Sequence, residues 1–123
     1  MATIGIKRVS EPDSRRDGQR ILVERLWPRG IRKDDLRLDG WYKEVAPSTE
    51  LRKWYGHEVS RWPEFRRRYL EELIENRDAW RPILDAALKR KVTLLYSAHD
   101  VEHNSAVVLR DYLAARMPRR GKK

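Results

Sequence analysis

Two short apolar runs, far apart along the chain, constrain its fold more than any other feature. Residues 21–23 read Ile-Leu-Val, and residues 92–96 read Val-Thr-Leu-Leu-Tyr. Continuous apolar runs of this length are typical of strands buried on both faces. Helical patterns fill much of the sequence between them, and this order favours parallel pairing through a right-handed crossover. The sequence therefore predicts a small α/β domain.

A further strand is predicted near the start of the chain. Residues 3–9 read Thr-Ile-Gly-Ile-Lys-Arg-Val, which is typical of a strand near a sheet edge. A polar loop over 10–19 follows it. The second strand is predicted over 20–27, where Pro28 ends it because proline lacks the donor that a strand ladder needs.

Helical periodicity predicts five helices, over 38–46, 49–55, 60–76, 78–90 and 102–117. Ser48, Ser60 and Asp78 are placed to cap the second, third and fourth of these. The expected fold class is α/β, a three-layer-like domain with a short parallel sheet of about three core strands covered by about five helices. We expect one domain over 1–117, followed by a basic, disordered tail over 118–123.

Charge and the lack of cysteine narrow the classes of function. The chain has 28 Lys+Arg against 19 Asp+Glu, a formal net charge of +9, and no Cys. The lack of cysteine excludes disulfides, thiolate metal sites and cysteine nucleophiles. No apolar run is long enough for a signal peptide or a membrane span, so we expect a cytoplasmic protein without a membrane partner. The positive charge favours anionic partners without identifying one.

The sequence predicts no metal site and no cofactor. His99 and His103 are four residues apart, but His99 falls in a predicted loop, so a helical pair of metal ligands is not indicated. The chain also has no HExxH, GxGxxG, Walker A or GxSxG motif. His57 lies between two predicted helices, and we interpret it as a structural hydrogen-bonding group rather than a catalyst.

Polar residues at the end of the second predicted strand form one half of a candidate site. In open parallel sheets, ligands bind beyond the carboxyl ends of the strands. Arg25 and Arg29 offer forked donors that suit phosphate or carboxylate, with Trp27 as a wall. The structural alternatives are a salt bridge for Arg25 and a solvated loop position for Arg29.

The end of the last predicted strand forms the other half. If the two strands are parallel neighbours, segments 24–30 and 96–100 share one edge of the sheet. Ser97 and Asn104 can position an anion there, because a helix N-terminus with free N–H groups attracts anions. Capping of the helix is the commoner use of such residues. Tyr96 either points into this cleft or belongs to the core.

Glu44 and Ser48 are further candidates. Glu44 comes late in its predicted helix, against the helix dipole, and a residue placed against its local preference can be functional. We therefore predict catalytic roles for Glu44, as general acid or base, and for Ser97. The predicted ligand-binding residues are Arg25, Trp27, Arg29, Ser48, Tyr96 and Asn104. A salt bridge from Glu44 to Arg25 or Lys53 is the structural alternative.

Four segments make the chain similar to a known family. They are GQRILVERLWPRG (18–30), WYKEVAPSTELRKWYGH (41–57), FRRRYLEEL (65–73) and VTLLYSAHDVEHNSAVVLRDYL (92–113). They resemble the YeaO-like branch of domain-of-unknown-function family 488, in the same order and over nearly the whole chain. The family is uncharacterised, so the resemblance implies no established reaction. It implies a small cytosolic bacterial or archaeal α/β protein with parallel first and second strands, although their spacing alone also allows a hairpin.

The resemblance also marks a departure from the longer relatives. Those proteins resemble a pattern with a Cys at the end of the last strand and a Cys-His-Arg run at the next helix. The corresponding positions here are Tyr96 and the run Asn104, Ser105 and Ala106. Thiol chemistry is therefore not carried over, whereas the Arg at the end of the second strand matches as Arg25.

Three functions agree with these patterns. The first is an enzyme or binder of a small anionic ligand, phosphate- or nucleotide-like, at the carboxyl edge of the sheet. The second is a basic nucleic-acid-binding module, with weak and salt-sensitive binding because basic and acidic residues are interleaved. The third is a protein-interaction domain whose five Trp contribute to a homodimer face. The polar residues at the strand ends favour the first.

Overall fold

The computed structural model describes residues 4–118 and contains a four-stranded parallel sheet. The strands are β1 (Ile4–Arg8), β2 (Gln19–Leu22), β3 (Gly40–Trp41) and β4 (Val92–Tyr96). In space they run in the order β1-β4-β2-β3, and every residue of β4 is buried. The predicted α/β fold with a parallel sheet is confirmed, with one strand more than expected.

β4 lies between β1 and β2 and pairs in parallel with both. Val92 is opposite Ile4 on one side and opposite Gln19 on the other. The first two strands are therefore parallel but not adjacent, which confirms the orientation implied by the family resemblance and excludes a hairpin. Between them the chain returns to the amino edge of the sheet through a 3-10 helix, Arg15–Asp17, which Ser14 caps.

β2 ends earlier than the predicted strand over 20–27. Val23 still donates its N–H to β4 at 3.3 Å, but the following residues leave the ladder. The side chains of Glu24 and Arg25 take different directions, one to the loop after β4 and the other to the carbonyls of residues 46–47. Polar contacts therefore replace strand pairing at this end of β2.

The helix predicted over 38–46 is wrong. Part of this segment forms β3, and the flanking residues Asp39 and Tyr42 donate their N–H groups to β2 at 2.8 and 2.9 Å. Trp41 packs on one face of the sheet and Tyr42 on the other. The spacing of the apolar residues over 38–46 therefore agrees with an extended backbone as well as with a helix. A single 3-10 turn, Lys43–Val45, follows.

The other four predicted helices are present: the one over 49–55 has the predicted ends, and the other three have shifted ends. The four are α1 (Thr49–Tyr55), α2 (Trp62–Ile74), α3 (Arg77–Lys89) and α4 (Ser105–Ala114). Ser48 caps α1 as predicted. Ser60 and Asp78 do not cap α2 and α3, because these helices begin after Arg61 and Asn76.

The four helices pack on one face of the sheet, and irregular segments cover the other. Ile21 and Leu94 face the helices and belong to the main buried core. Their neighbours Leu22 and Leu95 face the other side and pack with the loop residue Leu36. The third layer of the three-layer-like arrangement therefore consists of loops and short turns rather than helices.

The predicted basic tail over 118–123 lies outside the described residues, apart from Pro118. Across residues 4–118, no helix is both long enough and apolar enough to cross a membrane. The large apolar side chains that remain exposed are Leu26, Val59, Ile74, Leu88 and Val101.

Candidate functional site

A cavity of about 600 Å³ opens at the carboxyl ends of β2 and β4. Ligands bind at this edge in open parallel sheets, and the volume falls within the range of small-molecule pockets. Both segments that were expected to share this edge line the cavity, as 24–29 and 97–100. The remaining wall comes from the segment before α1, from α1 itself, from the turn after it, from α2 and from the segment that leads into α4. Its residues are Ala46, Pro47, Arg52, Tyr55, His57, Phe65, His103, Asn104 and Ser105.

Arg25 lines the cavity while the chain behind it holds its guanidinium. Its Nη2 donates to the carbonyl of Ala46 at 2.9 Å, and its Nε donates to the carbonyl of Pro47 at 3.2 Å. Its Nη1 lies 3.5 Å from Oε1 of Glu44. The salt bridge considered as a structural alternative is therefore present. Arg25 both fixes the wall and contributes positive charge to it.

Glu44 and Ser48 lie outside the cavity lining. The Glu44 side chain is 80% exposed and approaches the site through Arg25. Ser48 donates its N–H and its hydroxyl to the two carboxylate oxygens of Glu72, at 2.8 and 2.6 Å. Its Oγ also accepts the N–H of Leu51. These bonds give Ser48 a structural use at the start of α1.

The partner of Ser97 is a residue to which the sequence assigns no role in the site. The carboxylate of Glu24 accepts the N–H of Ser97 at 2.8 Å and its hydroxyl at 2.7 Å. Glu24 therefore occupies two donors that an anion could otherwise use. Ser97 remains in the cavity wall, and its oxygen keeps the capacity to accept a hydrogen bond from a ligand.

Trp27 and two arginines form another part of the wall. Trp27 donates its indole N–H to the carbonyl of Ile31 at 2.6 Å and packs edge-on against Trp41, so its ring is fixed. Arg29 and Arg52 are exposed, and in the described part of the chain neither guanidinium has a hydrogen-bond or ion-pair partner. The sequence does not single out Arg52, because its place in the wall depends on how α1 packs beside 24–29.

The structure places Tyr96 in the core. The side chain belongs to the main buried cluster and does not contribute to the cavity lining. Burial raises the pKa of its phenol, and the nearby carboxylate of Glu11 adds to the shift. Of the two positions that the sequence left open for Tyr96, the structure has the core position.

Asn104 links the loop after β4 to α4. Its side-chain oxygen accepts the N–H of Val107 at 3.0 Å, and its amide group donates to the carbonyl of Asp100 at 2.9 Å. Asn104 is buried and caps α4, so this helix begins later than the prediction of 102–117. It also lies in the cavity lining.

Two histidines of this loop have different partners. Oδ1 of Asp100 accepts the N–H groups of Glu102 and His103 at 2.9 and 3.0 Å, and Oδ2 lies 2.9 Å from Nδ1 of His103. The N–H of Glu102 and then the imidazole of His103 hold the pKa of Asp100 below its usual value. Nδ1 of His99 lies 3.1 Å from Nη2 of Arg8, at the carboxyl end of β1.

Aromatic rings form an apolar surface in the cavity. Tyr55 and Phe65 are buried and stacked, with ring centroids 4.4 Å apart. Burial raises the pKa of Tyr55, and the charge of Asp100 adds to the shift. His57, also in the lining, adopts a φ of 60°, in the left-handed region that few non-glycine residues occupy.

The charged groups of the lining give the cavity an excess of positive charge. Three arginines stand against the two carboxylates of Glu24 and Asp100, which leaves one positive charge when the histidines are neutral. Residues 4–118 contain no group of three or more His, Asp or Glu side chains arranged to hold a metal ion. The arrangement suits a ligand with an anionic group and an apolar, flat part.

Comparisons with known proteins identify a family and give no activity. The DUF488-N3i family model, described as "Inactive DUF488-N3 subclade", matches residues 3–123. The uncharacterized protein YeaO of Escherichia coli K12 is 51% identical over 110 residues, which cover 89% of this chain and 96% of YeaO. The uncharacterized protein Rv3073c of Mycobacterium tuberculosis H37Rv is 42% identical over 113 residues, which cover 92% of this chain and 95% of that protein. No solved structure matches significantly.

Proposed function

The chain belongs to the inactive DUF488-N3 subclade, and we propose that it binds a small anionic ligand, phosphate- or nucleotide-like, without converting it. The observation that carries the proposal is the presence of Arg29 and Arg52 in the cavity wall with no partner among the described residues. Guanidinium groups present forked donors that match phosphate and carboxylate oxygens. The excess positive charge of the lining acts in the same direction.

Aromatic side chains support the nucleotide-like alternative over a bare oxyanion. Tyr55 and Phe65 offer an apolar surface beside the arginines, and Trp27 adds a fixed ring. Flat, apolar groups pack well against such surfaces. A cavity of about 600 Å³ has room for a base and a sugar in addition to a phosphate.

Several features favour binding over catalysis. The hydroxyl of Ser97 donates to Glu24, and Glu44 lies outside the lining, so the two residues predicted to be catalytic do not converge in the cavity. Tyr96 stands at the position where the longer relatives resemble a pattern with a Cys. The description of the subclade as inactive agrees with a site that binds without turnover.

The nucleic-acid and homodimer alternatives have less support. Arg67 pairs with Glu64 and Glu71 on the surface of α2, and Arg68 also pairs with Glu64. These arginines are therefore neutralised within their own helix. All five Trp pack in or against the two buried clusters, so they are used by the fold itself.

We further propose that residues 1–117 act as a single domain in the cytoplasm. One sheet with buried clusters on both of its faces supports the single domain. A chain without cysteine is compatible with a reducing compartment.

A thermal-shift screen tests the binding function. The probes are inorganic phosphate, sugar phosphates, mononucleotides and short oligonucleotides, each at two salt concentrations, because a ligand that binds only the native state raises the unfolding midpoint. We expect a small anion to stabilise the wild type and the control variant Arg66→Ala, whose arginine is exposed and outside the lining. The double variant Arg29→Ala/Arg52→Ala should lose this response. Stabilisation by oligonucleotides alone, lost at high salt, would favour nucleic acid instead.

A further inference from the structure

The partner of His99 determines which of its ring nitrogens carries a proton. A guanidinium has only donors, so Nη2 of Arg8 must donate to Nδ1 of His99 across their 3.1 Å contact. Nδ1 of His99 is therefore the acceptor in this contact, and the ring proton lies on Nε2. A proton on Nδ1 would remove this bond and place two cations in contact.

His103 has the opposite arrangement. An ionised carboxylate has only acceptors, so Nδ1 of His103 donates to Oδ2 of Asp100 across 2.9 Å. Its Nε2 has no hydrogen-bond partner among residues 4–118. His103 can therefore take up a proton on Nε2 and keep its bond to Asp100, which becomes an ion pair.

The ring of His103 is also held in place. Asp100 is itself fixed by the N–H groups of Glu102 and His103. Trp62 meets the imidazole edge-on, with centroids 5.2 Å apart and an interplanar angle of 81°. The side chain is 29% exposed and lies in the cavity lining. The imidazole is thus oriented before any ligand binds, which lowers the entropic cost of a contact.

We infer that His103, oriented by Asp100, is a ligand contact of the cavity that donates a hydrogen bond from Nε2 to the bound anion when it is protonated. The inference rests on the proposed function and adds a specific residue and a pH dependence to it. Anion binding then strengthens as the pH falls through the range in which histidine takes up a proton.

His57 and His99 are the other two histidines in the cavity lining. Trp62, which contacts it from α2, is uncharged. The other charged or titratable groups around the cavity are Glu24, Arg25, Arg29, Arg52, Tyr55, His57, His99 and Asp100, with Arg8 behind His99. Histidine is the side chain that ordinarily changes charge between about pH 5 and 8, so His57 and His99 need control variants.

Calorimetric titration with sodium sulfate tests the inference, because sulfate keeps its charge over this pH range whereas phosphate does not. At constant ionic strength we expect wild-type affinity to be about tenfold higher at pH 5.5 than at pH 8.5, the effect of one charge-assisted hydrogen bond. The sulfate affinity of His103→Gln should change by less than about twofold between these two pH values. His57→Gln and His99→Gln should keep most of the wild-type dependence. Asp100→Asn should move the dependence to lower pH, because the imidazolium loses its carboxylate.

The possible results distinguish a failure of the inference about His103 from a failure of the proposed anion-binding function. A wild-type pH dependence in His103→Gln overturns the role of His103 and leaves the anion-binding function standing. Failure of the wild type to bind sulfate at any pH overturns the inference about His103, whereas the proposed function is overturned only if sugar phosphates and mononucleotides also fail to stabilise the wild type in the thermal-shift screen. If His103→Gln does not fold, an NMR titration of the wild-type histidine Cε1 protons replaces it. Sulfate should then raise the titration midpoint of His103 more than that of His99, and equal or absent shifts contradict the inference.

Discussion

The carboxylate of Glu24 accepts both the N–H and the hydroxyl of Ser97, at 2.8 and 2.7 Å, and so ties the end of β2 to the loop after β4. These are the two segments that form the cavity edge. The pair thus acts as a cross-link within the site, and it gives each side chain a partner before any ligand arrives.

Removal of this cross-link is expected to destabilise the fold. Glu24→Ala leaves the two donors of Ser97 without a partner in a partly buried place, which costs about 1–3 kcal/mol. Urea unfolding measures the change. Glu75→Ala, at an exposed position on the same protein, serves as the control and should change stability by less than about 0.5 kcal/mol. Equal stabilities for the two variants would show that the cross-link contributes nothing.

Loss of the buried ion pair between Arg20 and Asp17, at the amino edge of the sheet, should lower the free energy of unfolding more than loss of the Glu24–Ser97 cross-link does. Arg20 is 1% exposed, and its Nη1 donates to Oδ2 of Asp17 at 2.6 Å. Arg20→Met removes one partner of a buried pair, for which losses of about 3–5 kcal/mol are typical. The exposed pair between Arg37 and Asp13 gives the control, Asp13→Asn, with an expected loss below about 1 kcal/mol. Chemical denaturation should therefore show a clearly larger loss of unfolding free energy for Arg20→Met than for Asp13→Asn.

Asp17 also makes the free energy of unfolding depend on pH in the acidic range. Burial raises its pKa, but hydrogen bonds from Lys7, Arg20 and the N–H of Ser14 outweigh burial, so the folded-state pKa lies below the ordinary value of 3.8. A depressed folded-state pKa contributes stability above the unfolded value, and this contribution is lost as the pH falls through the folded value.

The measurement is the difference in unfolding free energy between wild type and Asp17→Asn as a function of pH. We expect a full difference at pH 5–7 that shrinks steadily below about pH 4. A difference that stays constant or grows in acid would contradict the assignment.

Gly18 is expected to tolerate no side chain. Its φ is +65°, and a Cβ there would lie 2.3 Å from the carbonyl oxygen of Lys91. Gly30 has a similar φ of +82° but open space around it, so it isolates the backbone cost of about 1–2 kcal/mol. Gly18→Ala should lower the thermal midpoint clearly more than Gly30→Ala. Equal losses would mean that the contact with Lys91 relaxes freely.

The sequence predicts which segments line the cavity better than it predicts the hydrogen bonds between them. Uninterrupted apolar runs identify β2 and β4, and parallel pairing then brings Arg25, Arg29 and Ser97 to one edge. The bond from Ser97 to Glu24 is not predictable in this way. It depends on the directions that two consecutive side chains take where β2 leaves the sheet.

The short strand β3 shows a second limit of prediction from the sequence. A two-residue strand carries no periodicity, and Trp41 and Tyr42 pack on opposite faces of the sheet at a spacing that a helix also produces. Arg52 and His103 enter the cavity through helix packing and loop closure, which are long-range effects. The hydrogen bonds that the Asp100 carboxylate accepts are partly predictable, since Asp side chains commonly accept the N–H groups of the residues that follow them.

An NMR titration of the 15N-labelled protein with adenosine monophosphate and with inorganic phosphate tests the central claim most directly. We predict that amide shifts concentrate in 25–30, 52–57 and 97–105, around the cavity at the carboxyl edge, and disappear in Arg29→Ala/Arg52→Ala. Shifts that concentrate around Arg37 and Arg90, at the second cavity near the amino edge, or that spread over the basic surface without saturating, would contradict it.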